Sequence, residues 1–132
     1  MPFQFQKFTD VRSSYAARVT IRQTGQLGFN GGAIRRFKLK DYRFAVLYWD
    51  PERRAIGIEP SEIECEGAIE LKATDSNNYL RAKNFLDLYE IDYSRSHRYE
   101  LRRDEQTGFL YFELDKELES DLEEETEANG VA

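Results

Sequence analysis

The sequence predicts an α+β domain that is mostly β and consists of two βαββ units packed as one domain. Short segments in which apolar and polar residues alternate recur along the chain, as is typical of half-buried strands. Two short helical patterns lie between them. The order strand, turn, helix, strand, hairpin turn, strand occurs twice, and an acidic residue, Asp50 or Asp104, begins each hairpin turn. This repeated order indicates an internal duplication.

The first unit is predicted at residues 17–60. Its strands are expected at residues 17–22, 44–49 and 55–59. Glycines indicate a turn at residues 25–32, and Asn30 is a candidate N-cap for a short helix with Ala33, Ile34 and Phe37 on one side. Because residues 44–49 are apolar on both faces, we expect that strand to be central and buried.

The second unit is predicted at residues 67–115, after a linker at residues 61–66. Its strands are expected at residues 68–73, 98–102 and 109–114, with turns at 75–78 and 104–108. A helix is predicted at residues 80–91, with Phe85, Leu88 and Tyr89 facing the core. A unit of ~45 residues buries too little surface to fold alone. We therefore expect the two units to complete each other as a pseudo-dimer.

The two chain ends are predicted to lie outside these units. Residues 1–16 form an irregular lead-in, whose Phe3, Phe5 and Phe8 are expected to dock on the core. Residues 116–132 are strongly acidic and contain few apolar side chains, which predicts a disordered tail.

Charge is divided unevenly along the chain, although the formal net charge is −6. Residues 1–60 hold 11 Lys/Arg and 5 Asp/Glu, residues 61–114 hold 7 and 12, and residues 115–132 hold 1 and 8. The basic excess is therefore local to the first unit. An acidic average does not exclude a polyanion partner, since phosphate contacts depend on where the basic residues cluster.

Several classes of function are disfavoured by the motifs that are missing. The glycines at 25, 28, 31 and 32 match neither the dinucleotide-binding pattern nor a P-loop. His97 is the only histidine, and we interpret it as a surface or edge residue. Cys65 lies between two glutamates, which disfavour a reactive thiolate. We predict that the protein is not an enzyme and uses neither a cofactor nor a metal.

The same composition predicts a cytoplasmic protein. One cysteine allows no internal disulfide, no signal-peptide pattern is present, and no apolar run approaches the ~20 residues of a membrane span. We therefore expect no membrane partner.

Basic residues surround the glycine turn and carry the main functional signal. Arg18 and Arg22 are expected to face outward on the first strand, and Arg35, Arg36 and Lys38 follow the turn on the short helix. Guanidinium groups suit phosphates and guanine edges. The alternative is that these charges only keep a small surface soluble.

The first unit resembles the AbrB/SpoVT/MazE-like family of swapped-hairpin regulators. The resemblance covers about 43 residues, and three segments carry it: Gly25-Gln26-Leu27-Gly28-Phe29-Asn30, the helix Ile34-Arg35-Arg36-Phe37-Lys38-Leu39, and the hairpin "VLYWDPERRAIGIEP". It implies a swapped-hairpin or double-psi-like barrel with two short helices. It also implies double-stranded DNA as the partner and transcription regulation as the role. By position, the implied DNA contacts are Arg18, Arg22, Gln26, Arg35, Arg36 and Lys38.

Two alternative functions stay open. The acidic tail and the loss of the basic pair in the second unit favour a protein-interaction module that does not bind nucleic acid, such as an antitoxin-like or assembly partner. Tyr42, Phe44, Tyr48 and Trp49 beside basic residues favour a single-stranded nucleic-acid binder. Whether two chains associate as a homodimer also stays open.

Overall fold

The computed structural model describes residues 2–7, 16–73 and 78–118, and within these ranges the chain is mostly β. The strands are β1 (Arg18–Ile21), β2 (Gln26–Phe29), β3 (Phe44–Asp50), β4 (Ala55–Ser61), β5 (Ala68–Ala73), β6 (Asn78–Arg81), β7 (His97–Glu100), β8 (Arg102–Arg103) and β9 (Leu110–Glu113). The helices are α1 (Gly31–Arg36) and α2 (Lys83–Leu88), with 3-10 turns at Leu39–Asp41 and Leu114–Lys116.

The nine described strands form a nearly closed antiparallel barrel. Their order is β7-β1-β2-β6-β5-β3-β4-β9-β8, and all neighbours are antiparallel. β7 and β8 lie at opposite ends of this order, yet only Leu101 separates them in the chain. β7 also lies against β9. The curled sheet and its two short helices agree with the mostly β, α+β prediction.

One core fills the barrel and is shared by both halves of the chain. Leu27 of β2 and Leu80 of β6 are register partners, and both are fully buried. Leu101 and Phe112 close the core from the other side and are also buried. Removing one such side chain from water is worth about 1.5–3 kcal/mol. The barrel is therefore held by contacts between residues far apart in sequence.

The N-cap of α1 agrees with the sequence prediction. The Asn30 side-chain oxygen accepts hydrogen bonds from the backbone nitrogens of Ala33 at 2.8 Å and Arg18 at 3.0 Å. It thus satisfies one of the free N–H groups at the helix start and ties α1 to β1. Ala33, Ile34 and Phe37 are buried, as predicted.

The predicted glycine turn at 25–32 is mostly a strand. The turn ends at Gly25, where φ is +84°, and β2 follows immediately. Leu27 and Phe29 point into the core, and β2 pairs with β1 on one side and β6 on the other. Pairing on both edges satisfies the backbone of β2 despite the low strand propensity of Gly28.

The predicted helix at 80–91 is shorter in the structure. Leu80 and Arg81 belong to β6, and the helix occupies only Lys83–Leu88. Leu88 is 71% exposed rather than part of the core, and Tyr89 is 40% exposed. Strand pairing of Leu80 with both neighbours outweighs the helical periodicity of the sequence.

The predicted buried strand at 44–49 has two different faces. β3 is central, between β5 and β4, but only Ala45 is fully buried. Leu47 and Trp49 pack against the core, whereas Tyr48 is 40% exposed on the outer face. The prediction of burial on both faces is therefore wrong, because the outer face of this strand is only partly covered, as where Phe109 stacks on Tyr48.

The chain ends depart from the predictions or fall outside the structure. Phe3 and Phe5 are 83% and 89% exposed, so neither docks on the core. Phe8, residues 75–77 of the predicted polar turn and residues 119–132 of the predicted tail lie outside the described residues. The predicted strand 98–102 is present as β7 and β8, interrupted at the buried Leu101.

The two hairpin turns have matching hydrogen bonds. The carboxylate of Asp50 accepts from the backbone nitrogen of Arg53 at 3.2 Å. That of Asp104 accepts from the backbone nitrogen of Thr107 at 3.3 Å. Each acidic residue therefore caps its own turn, as side-chain oxygens of Asp commonly do.

The two helices also end in the same way. Lys38 and Glu90 both adopt the left-handed region, with φ of 52° and 54°. Each is followed by a buried aliphatic residue, Leu39 or Ile91. This conformation is uncommon for residues with a β-carbon, so its appearance at both helix ends is a specific similarity.

Candidate nucleic-acid interface

Arg22 is held flat against the outer surface of the barrel by Gly28. Leu27 and Phe29 face inward, so Gly28 faces outward. A β-carbon at Gly28 would lie 2.3 Å from an Arg22 guanidinium nitrogen, which only a glycine avoids. The Arg22 guanidinium also donates to the side-chain oxygen of Gln26 at 3.2 Å. The tight β1–β2 turn, the missing side chain and Gln26 together position this guanidinium.

The strands beside β2 bring further cations to the same face. Arg81 of β6 is the register partner of Gln26, and Tyr79 is the partner of Gly28. On the other side, Thr20 pairs with Gly28 and with Arg98 of β7. Register partners share a face, and neighbouring strands are about 4.8 Å apart. We call this outer surface the Arg22 face. Its members are Arg18, Arg22, Gln26, Tyr79, Arg81 and Arg98.

Carboxylates lie at two borders of the Arg22 face, and each is paired with a cation. On β7, Glu100 is the register partner of Arg18, and its side chain accepts from Arg102 at 3.2 Å. On β5, Glu70 pairs with Lys72, whose hydrogen bond and charge hold the pKa of Glu70 below its usual value. Both carboxylates are therefore partly neutralised by their own neighbours.

The predicted contacts on and just after α1 lie at a neighbouring depression. Arg35 and Lys38 line a cavity of about 590 Å³ together with Lys40 and Asn78. Asn78 begins β6 beside the end of β2, and its side-chain oxygen has no hydrogen-bond partner in the described structure. Arg36 is exposed next to Arg35 on α1. The depression thus lies at the opposite end of β2 from Gln26, about 10 Å away along the strand.

The structure therefore divides the six predicted contacts into two groups. Arg18, Arg22 and Gln26 belong to the Arg22 face, and Arg35, Arg36 and Lys38 belong to the α1 side. Sequence reasoning missed Arg81 and Arg98. The alternation in Tyr79-Leu80-Arg81 is a signal for Arg81, but Leu80 and Arg81 lie inside the segment predicted as a helix.

His97 is buried rather than a surface residue, which corrects its interpretation. Its side chain is 9% exposed, and each ring nitrogen faces a carboxylate. Nε2 lies 2.9 Å from Asp92 and Nδ1 lies 3.0 Å from Glu117. The Arg95 guanidinium also donates to Glu117, at 3.1 and 3.3 Å. We call His97, Asp92, Glu117 and Arg95 the His97 clamp.

The His97 clamp perturbs its two carboxylates. Hydrogen bonds from Ser94, and then from His97, lower the pKa of Asp92 to about 2. Burial opposes ionisation of Glu117, but hydrogen bonds from His97 and Arg95 outweigh it and lower the pKa of Glu117. Among the described residues, no cluster of metal-ligating side chains occurs. The clamp joins β7 to the segment after β9, which fits a structural role.

The aromatic residues proposed as a stacking platform do not share one face. Tyr48 points outward and stacks on Phe109, with ring centroids 4.7 Å apart. Trp49 instead packs against the core and stacks on Tyr89 at 5.5 Å. Tyr42 also packs against the core. Consecutive residues of a strand point to opposite sides, which separates Tyr48 from Trp49.

Comparison with known proteins adds no assignment. The chain matches no family model, no curated protein and no solved structure among those with which it was compared. Within the described residues, no helix has the length and apolar character needed to span a membrane.

Proposed function

We propose that this protein binds double-stranded DNA through the Arg22 face and acts as a transcription regulator or accessory protein. The observation that carries the proposal is the Arg22 guanidinium, which lies over Gly28 and is fixed by Gln26. An arginine that is already ordered loses little side-chain entropy on binding. Its planar fork matches phosphate oxygens and guanine edges.

The arrangement of neighbouring cations supports a polyanion rather than a small anion. Arg81 and Arg98 extend the charge across β6 and β7, on either side of Arg22. Spacings of about 5 Å between strands distribute these charges over a surface instead of converging on one point. Such a surface suits a row of phosphates, and its affinity should fall steeply with salt.

We also propose that the two halves of the barrel arose by duplication and form a pseudo-dimer of the AbrB-like, swapped-hairpin type. The similar helix ends at Lys38 and Glu90 support this proposal. The turn caps of Asp50 and Asp104 support it as well. In a duplicated barrel, β2 would correspond to β6 and β1 to β5. The face would then contain one arginine-rich half and one weaker half, which suits an asymmetric DNA site.

The experiment that tests DNA binding removes charge from the Arg22 face without removing core contacts. Arg22→Gln combined with Arg81→Gln should weaken binding of a random 30-base-pair duplex about tenfold or more at 50 mM salt, and should flatten its salt dependence. The matched control is Arg53→Gln with Lys116→Gln, which removes two cations elsewhere. Equal weakening by both pairs would show a net-charge effect and contradict the proposed face.

The second candidate function is a protein-interaction module, and one observation favours it. Tyr48, Phe109 and Tyr111 form an aromatic cluster around Gly57 on the outer face of β3, β4 and β9. Exposed aromatic clusters are enriched at protein interfaces. Sedimentation of the full chain and of Tyr111→Ser would measure self-association through this cluster. A concentration-independent monomer in both would remove the homodimer version of this candidate.

A further inference from the structure

Two aromatic rings lie exposed on the N-terminal segment, which we call the arm (residues 2–7). Phe3 and Phe5 are 83% and 89% exposed, and their rings stack with centroids 5.4 Å apart. The stack places both rings on one side of the arm, as expected for residues two positions apart in an extended chain. Covering these rings would be favourable, because apolar surface would leave water.

A second group of exposed aromatic side chains lies on the outer face of β3, β4 and β9. Tyr48 and Tyr111 are the two register partners of Gly57, one on each side of β4. Phe109 stacks on Tyr48, and these residues line a depression of about 390 Å³ together with Glu113. We call Tyr48, Gly57, Phe109, Tyr111 and Glu113 the aromatic face. Tyr48 is 40% exposed, so the described chain leaves this face partly open.

The arm and the aromatic face carry opposite charge. Among the described residues that line the depression, the acids are Asp50, Asp104 and Glu113, and the cation is Arg53. The arm contains Lys7 and no acidic residue. A lysine beside carboxylates and aromatic rings is attracted by both. The aromatic face is therefore complementary to the arm in charge as well as in apolar character.

The spacing of the side chains also matches. Along the arm, every second position carries in turn a ring, a ring and a cation: Phe3, Phe5 and Lys7. Along β9 and the residue before it, every second position carries a ring, a ring and an acid: Phe109, Tyr111 and Glu113. The residues between the latter are buried, so these three face outward. Alternate residues of an extended chain are about 6.6 Å apart. An arm laid parallel to β9 therefore places ring against ring twice and the cation against the acid.

Glu113 can accept a second cation because its present ion pair lies at the surface. Its partner Lys116 is 3.3 Å away and 68% exposed. Exposed ion pairs of this kind contribute little, and a carboxylate has two oxygens that accept hydrogen bonds. Arg102, the register partner of Tyr111 on β8, already donates to Glu100 at 3.2 Å. The charge of Arg102 is therefore partly neutralised next to the aromatic face.

We propose that the arm of one copy docks on the aromatic face of a second copy, parallel to β9, with Lys7 beside Glu113. The occupant is a second copy because the rings of the arm are exposed within their own chain. Reciprocal exchange of two arms gives a closed dimer. The contact is small, so we expect a dissociation constant on the order of 100 µM. This inference rests on the protein-interaction candidate, whose partner it names, and it does not depend on DNA binding.

Self-association is tested by sedimentation equilibrium of the full chain from about 10 to about 500 µM. The average mass should rise toward that of a dimer, and Phe3→Ser with Phe5→Ser should weaken association about tenfold or more. The fold should survive, because both rings are exposed. The matched control is Ile63→Ser with Leu88→Ser, which removes two side chains that are 74% and 71% exposed. Equal weakening by both pairs, or a monomer at every concentration, would overturn the docking.

The alignment is tested by exchanging charges. Lys7→Glu and Glu113→Lys should each weaken association about threefold, since each places like charges together. Both changes in one chain should restore association, because the opposite charges face each other again. The control combines Glu113→Lys with Arg36→Glu, which gives the same net charge and should not restore it. Restoration in the control, or its absence in the exchanged chain, would overturn the parallel docking.

A titration between two forms of the chain shows whether the contact is intermolecular. The Phe3→Ser, Phe5→Ser chain is labelled with ¹⁵N and titrated with the unlabelled original chain. The amide signals of Gly57 and Tyr111 should shift, whereas that of Gly28 on the Arg22 face should not. Shifts of all three, or of none, would overturn the docking. Shifts that appear only within the original chain, at every concentration, would show docking of its own arm and overturn the second copy as the occupant.

The outcomes separate this inference from both candidate functions. Association that depends on Phe3 and Phe5, without duplex binding, would refute the proposed DNA binding and leave the docking intact. A monomeric chain whose DNA binding depends on Arg22 and Arg81 would refute only the docking. Association that is lost in Tyr111→Ser but unchanged in the arm variant would keep the protein-interaction candidate and overturn the arm as its partner.

Discussion

Two outer faces of the barrel each contain a glycine in a middle strand, and each glycine leaves room for a different neighbouring side chain. On one face, Gly28 in the middle strand β2 leaves room for the side chain of Arg22. On the other, Gly57 in the middle strand β4 lies against the β-carbon of Tyr48, where a β-carbon at the glycine would be 3.3 Å away. A missing side chain thus lets a long neighbour lie flat in both places. The neighbour, a guanidinium or a phenol, decides what the face can bind.

The two faces also differ in how firmly the side chain beside the glycine is held. The Arg22 guanidinium is held by Gln26, whereas Tyr48 is held by its stack on Phe109 and by a 2.7 Å hydrogen bond to Glu59. The aromatic face is therefore ordered by several contacts. The position of the Arg22 guanidinium depends on one glycine and one amide.

The largest expected effect comes from the core that both faces share. Leu27→Ala should lower the free energy of unfolding by about 2–5 kcal/mol, because Leu27 is fully buried against Leu80. Denaturant unfolding measures the change. The control, Leu88→Ala, removes a side chain that is 71% exposed and should change stability by no more than about 0.5 kcal/mol. Similar losses in both variants would contradict the description of the core.

The next effect tests the glycine under Arg22. Gly28→Ala should displace the guanidinium, since the added β-carbon would meet it at 2.3 Å. Because the guanidinium can move aside without moving the backbone, the fold should survive while duplex DNA affinity falls about tenfold, or about 1.4 kcal/mol. Fluorescence anisotropy measures the affinity. Unchanged affinity in Gly28→Ala, together with lost affinity in Arg22→Gln, would show that the flat position of Arg22 is irrelevant.

A smaller effect is expected for the corresponding change on the aromatic face. Gly57→Ala introduces a β-carbon 3.3 Å from that of Tyr48, a tight contact close to the backbone. The strain is offset by the reduced entropy of the unfolded chain, which is worth about 0.4–1 kcal/mol. Stability should therefore change by less than about 1 kcal/mol, and DNA affinity should not change. A tenfold loss of DNA affinity here would remove the contrast between the two faces.

The smallest effect concerns acid pH and the His97 clamp. The pKa of Asp92 is about 2 in the folded protein and near 4 when unfolded, so its contribution is present above pH 4 and is lost as pH falls toward 2. Glu117, whose pKa is also lowered, loses its contribution in the same direction. Asp92→Asn should therefore be less stable than the original at pH 7, and the gap should shrink below pH 4. Denaturant unfolding at both pH values measures the gap, and a constant gap would contradict the clamp.

Local sequence patterns predicted the elements whose partners are close in the chain. Asn30 was predicted as an N-cap, and its hydrogen bond to Ala33 depends on three residues only. Alternation placed the first strand correctly, since Val19 and Ile21 are fully buried. The mostly β fold with two short helices was predicted for the same reason.

The strands β2 and β6, which pair with each other across more than 50 residues, were not predicted. Leu80 and Arg81 carry a helical pattern but form β6 because β2 and β5 offer backbone partners on both edges. Arg81 was consequently absent from the predicted site. Nothing in the local sequence shows that Gly28 lies beneath Arg22, or that His97 lies between Asp92 and Glu117.

The sequence by itself determined the class of fold, the cap of α1, the acidic turn starts and the location of the cations along the chain. These depend on side-chain type and short-range spacing, which a linear pattern contains. Only the tertiary structure decided which cations share a face and where Glu117 and Leu118 join the barrel. Both depend on strand register, because one pairing places Arg81 beside Gln26 and another places Leu118 beside Arg98.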